Sequence, residues 1–111
     1  MQSTLKKTAP AIPTASPTLR DIDDPVQLAA FVRFARVDPR AAAGVLAHYL
    51  DLRCTHHEGS DLARTIDNWA YAPDDDSFDT MVWSAGPAQL LSASVRIALC
   101  AVIASARRSG F

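Results

Sequence analysis

Cysteine is scarce in this 111-residue chain. Cys54 and Cys100 are the two present, and nothing in their number or spacing forms the disulfide framework of a small secreted domain. Both are expected to be reduced thiols in an intracellular protein, and Lys6 and Lys7 are not followed by the apolar run of a secretory signal. Glycine is scarce too, with four residues. None sits in a P-loop, a G-x-G-x-x-G or a G-x-S-x-G, so the turns that cradle phosphates or expose a nucleophile are missing from the sequence. No stretch alternates convincingly with β-branched residues, which leaves little room for a sheet. An excess of one charge is also lacking. The net charge is −1, so the total offers nothing to attract nucleic acid or an acidic membrane surface. Heavy use of Ala, Arg and Asp with little Lys, Asn or Ile is the composition of a GC-rich bacterial genome, and a cytoplasmic bacterial protein is expected.

Helix signals dominate what is present. The most apolar segment is 87–108, PAQLLSASVRIALCAVIASARR. Pro87 suits a first helical position, Arg107 and Arg108 suit the negative end, and Gly110 suits the stop. The apolar run between Arg96 and Arg107 is far shorter than the roughly 20 residues a membrane span needs. The expected architecture is all-α: four main helices plus a short one, with this C-terminal helix central. Residues 1–20 read as a flexible tail rich in Pro, Ser, Thr and Ala, and 21–111 as a single helical domain.

Asp24-Pro25 and Asp38-Pro39 each pair an N-cap with a proline fit for the first turn, so one helix starts at each. Leu28, Phe31, Val32 and Ala35 give the first its apolar face. Ala42, Val45, Leu46, Tyr49 and Leu50 give the second its own. Gly44 weakens the second helix, and a tight helix crossing would account for it. A third helix is expected from about Asp61 to Tyr71, after a polar break with Ser60 as N-cap. A short one follows from about Phe78 to Ser84, behind the acidic Asp74-Asp75-Asp76.

Cys54, His56, His57 and Glu58, with His48 two turns earlier, form the densest set of possible metal ligands. The donors are local and adjacent histidines diverge on a helix, so no tetrahedral zinc site is expected. Asp74, Asp76 and Asp79 lack the glycine and distal Glu of a calcium loop. No catalytic residue, cofactor or metal is therefore expected. Every acid lies between Asp21 and Asp79. Lys6, Lys7 and Arg20 precede that span, and Arg96, Arg107 and Arg108 follow it. A DNA reader would expose Arg, Lys, Asn or Gln on a recognition helix. The second helix offers Arg40 and Arg53 with Asp51 beside them, so nucleic acid is not an expected partner.

The remaining function class is protein–protein contact: an inhibitor, antiactivator or adaptor that occludes a partner's interface, for example the dimerisation surface of a transcription regulator. A DNA-associated helical regulator and a small metal- or thiol-dependent enzyme are the alternatives. Helical spacing puts Ser94, Ala98, Ala101 and Ser105 in a stripe of small side chains flanked by Leu91, Val95 and Val102. With Trp83, these residues are the expected partner or dimer interface, closed in the simplest case as a twofold homodimer.

Overall fold

The computed structural model describes residues 19–53, 57–84 and 92–110, with the backbone alone at 57–60. The described residues form five helices: α1 (Pro25–Val37), α2 (Pro39–Arg53), α3 (His57–Tyr71), α4 (Asp75–Ser84) and α5 (Ala93–Arg108). No strand occurs among them. The all-α expectation holds.

Local chemistry sets the first two helices. The Asp24 carboxylate accepts from the Val26 N–H at 3.1 Å, Pro25 follows, and the Asp24 carbonyl accepts from Leu28 at 2.9 Å. Asp38 then serves both helices. Its N–H closes α1 on the Phe34 carbonyl at 2.9 Å, and its carboxylate caps α2 through the Ala41 N–H at 3.1 Å. At φ −142° and ψ 85° its backbone cannot continue a helix, so the chain turns there.

Packing places α2 at the hub. It lies against α1, α3 and α5; α1 and α5 also pack together, and α4 packs on α3. The central position expected for the C-terminal helix thus belongs to α2. The reason is visible in its side chains: Ala42, Ala43, Leu46, Ala47 and Leu50 are buried, and Val45 and Tyr49 half-buried, over more than one face. Alanine at so many positions lets neighbouring helices approach closely.

Several boundaries differ from expectation. Leu19 packs on the core, Ile22 is buried, and its N–H donates to the Tyr49 hydroxyl at 3.2 Å. Arg20 is held by its carbonyl, which accepts from Arg53, while the N–H groups of Arg20 and Asp21 donate to Gln27 Oε1. Those two residues of the expected tail belong to the folded part, and 1–18 lies outside the described residues. α3 begins four residues before Asp61, at His57. α4 begins three residues before Phe78, with Asp75 and Asp76 in its first turn. α5 begins at Ala93, because Ser92 is extended (φ −66°, ψ 159°) and caps the helix through the Val95 N–H. Pro87, the expected start, lies outside the described residues. At the far end Gly110 adopts φ +116°, a conformation that favours glycine, and its N–H donates to the Arg107 carbonyl.

The cap of α4 gives a pH prediction. The Asp74 carboxylate accepts from the Ser77 N–H at 2.7 Å. The Ser77 hydroxyl returns to Asp74, accepting from its N–H and donating to its carbonyl. The Ser77 backbone N–H, then the Ser77 hydroxyl, hold the Asp74 carboxyl below the ordinary aspartate value of 3.8. A pKa depressed by folding adds stability that is present above the unfolded value and lost as pH falls through the folded one. Asp74→Ala should therefore lower Tm at neutral pH. Parallel acid titrations should show the gap to wild type closing once pH falls below the folded Asp74 pKa.

Candidate interaction surfaces

The expected interface divides when placed in the fold. Val95, Ala98, Val102 and Ser105 are buried within the chain, with Ala98 and Val102 at 0% exposure. Ser94 and Ala101 are half-buried, and Leu91 lies outside the described residues. Trp83 lies on α4 at 77% exposure. A twofold dimer closed by the small stripe would have to use surface already covered by α1 and α2. The physical reason is the orientation of α5: the stripe of small residues is what lets it approach α1 and the alanine-rich α2 closely.

The outward face of α5 is a different one, turned by about 100° in a helix of 3.6 residues per turn. Ala93, Ile97, Cys100 and Ala104 run along its middle, all exposed. Arg96 and Arg107 lie along one edge and Arg108 along the other. Cys100 is thus a free surface thiol, although its apolar surroundings in sequence read as interior. No acid occurs in α5 or in α1, whose exposed residues include Val26, Ala29, Arg33, Arg36 and Val37. α3 and α4 carry acids, among them Asp61 and Asp67 on α3, and Asp75, Asp76 and Asp79 on α4 with Asp74 before it, while α1 is bracketed by Asp24 and Asp38. The near-zero net charge therefore conceals an uneven distribution, in which arginines are the only charged residues of α1 and α5.

A second surface lies along the seam between α2 and α3. Two adjoining depressions of about 440 and 480 Å³ share Asp67 and form one open groove. Its floor is Ala41, Gly44 and Ala47 from α2 with Ala63 and Ala70 from α3; its rim carries Arg40, His48, Asp51, Arg64, Asp67 and Tyr71. Both rim arginines are engaged inside the chain. Arg40 donates to the Ala70 and Tyr71 carbonyls at 3.1 Å, closing the C-terminal end of α3, and Arg64 pairs with Asp61 at 3.4 Å. No ion pair engages Asp51 or Asp67 among the described residues.

Gly44 is the unexpected part of this groove. A Cβ placed there would meet nothing within 4 Å, so no tight crossing among the described residues requires glycine. The expected explanation fails because α3 contacts α2 on either side of this position and leaves the glycine open. Gly44→Ala should stabilise the protein by about 0.5–1 kcal/mol, through helix propensity and a less flexible unfolded chain. Thermal unfolding should report a Tm rise of a few degrees. The spacing Ala41, Gly44, Ala47 was the available signal for the groove; nothing in the sequence specified that α3 would leave it uncovered.

No group of three or more His, Cys, Asp or Glu able to hold a metal occurs among the described residues. Cys54 and His56, and the side chains of His57 and Glu58, lie outside what is described. No helix among the described residues is long and apolar enough to cross a membrane. Comparison with protein-family models, curated proteins and solved structures finds no match for this chain.

Proposed function

We propose that this chain is a small cytoplasmic regulatory protein that works by protein–protein contact, as an inhibitor, antiactivator or adaptor that occludes a partner's interface. A dimerisation surface of a transcription regulator is one such target. The observation that carries this reading is the outward face of α5. Ile97 is 51% exposed in the middle of a stripe of small residues, with arginines at its edges and no acid on the helix. An exposed apolar strip with charged edges is suited to receive an amphipathic helix whose own borders are acidic. Val26 and Val37, both more than 70% exposed on neighbouring α1, add apolar area of the same character.

In a Cys54→Ser background Cys100 provides a test, because a maleimide photocrosslinker attached there samples this face directly. In lysate of the native host, wild-type protein should crosslink to a defined partner, and Ile97→Glu should lose that product while staying helical. An identical set of products from both proteins would refute α5 as the docking face.

A further inference from the structure

The outward face of α5 and the groove between α2 and α3 match one another in shape and charge. The α5 face is a narrow ridge: Ala93, Cys100 and Ala104 are small, and Ile97 is its one large side chain. The groove is floored by alanine and glycine, with open space above Gly44. The ridge is edged by Arg96, Arg107 and Arg108. The groove is edged by Asp51 and Asp67, while the arginines on its rim are engaged with α3 carbonyls and with Asp61. The two surfaces belong to different sides of the molecule, since α5 packs with α1 on α2, and the groove opens where α2 meets α3.

We propose that the occupant of the groove is a second copy of this chain, docked head to tail, so that the α5 ridge of one molecule lies in the α2–α3 groove of the next. This rests on the reading of α5 as a docking face. Ile97 enters the space left by Gly44, which explains a helix glycine that no contact among the described residues requires. Small residues on both sides allow close approach of the helices, and Arg96 and Arg108 meet the carboxylates of Asp51 and Asp67, which no ion pair engages among the described residues, while Arg107 lies over the Phe78 ring of its own chain. The contact is heterologous: each added molecule leaves one ridge and one groove free, giving a ring or an open chain instead of a closed twofold dimer. Self-assembly then covers every ridge but the terminal one of an open chain, so a foreign partner for α5 competes with the groove of the next molecule.

Sedimentation velocity over a concentration series tests this with the full chain. Wild type should pass beyond dimer as concentration rises, and added salt should weaken the association. Gly44→Leu places an isobutyl group in the groove, from a position where an added Cβ meets nothing within 4 Å. Ile97→Glu places a carboxylate on the ridge. Each variant alone should be monomeric with unchanged circular dichroism, and an equimolar mixture should form a discrete dimer from the one intact half each supplies. Wild type that remains monomeric at the highest attainable concentration overturns the proposal. So does wild-type assembly with a mixture that stays monomeric. Loss of the Cys100 crosslink in Ile97→Glu, with monomeric wild type, would leave the docking-face reading standing and remove self-assembly alone. Restored dimer in the mixture with unchanged crosslinking would do the reverse.

Discussion

Trp69→Ala should cost about 3–5 kcal/mol, the largest loss expected from one side chain in this fold. Trp69 is 1% exposed on α3, and its ring stands 6.0 Å from that of Phe78 on α4, tilted by 49°. The Arg107 guanidinium of α5 lies 5.8 Å from the Phe78 ring centre on its own account. Three helices therefore meet through Trp69, Phe78 and Arg107, and among the described residues the other anchors of α4 are Met81, buried, and Val82, half-buried. Removing the indole leaves a cavity that short α4 cannot collapse into without losing its own contacts. Domains of this size are stable by only about 5–15 kcal/mol, so the variant forfeits a large share of the total. Chemical denaturation should show the midpoint falling steeply. An unchanged midpoint would mean that α4 is held by something other than this cluster.

The elements that could be read from sequence are those whose causes are local. Asp24-Pro25 and Asp38-Pro39 mark helix starts because a cap depends on residues one to four positions away, and both behave as read. The start of α3 was obscured by the opposite effect. Gly59 and Ser60 looked like a break, yet a helix already anchored by Leu62, Ala63, Ile66 and Trp69 extends backward at modest cost, about 1 kcal/mol for the glycine. Periodicity identified α5 as a helix apolar around most of its circumference. It could not decide which side turns inward, because that depends on the alanines of α1 and α2 more than fifty residues away. The same limit hid the groove: Gly44 was visible, but whether another helix would cover it was a matter of tertiary packing. Charge told the same story, since net −1 gave no hint that α1 and α5 would lie together without a single acid.

Ala98→Leu separates the two possible uses of the α5 stripe. Ala98 is fully buried, as are Ala35 on α1 and Ala42 and Ala43 on α2, the helices against which α5 packs. Methyl groups on every side allow these helices to approach closely, and a leucine inserted at that crossing has no empty volume to enter. It must push α5 outward or adopt a poor rotamer, at a cost of about 1–3 kcal/mol. The loss should appear as a lower Tm that does not depend on protein concentration, because the crossing lies within one chain. Ala104→Leu is the paired control. It adds the same atoms to the same helix on the exposed face, so stability should stay within about 0.5 kcal/mol of wild type. If Ala98→Leu left thermal stability intact and altered only association, the small stripe would have to lie between subunits, and the packing of α5 on α1 and α2 described above would be wrong.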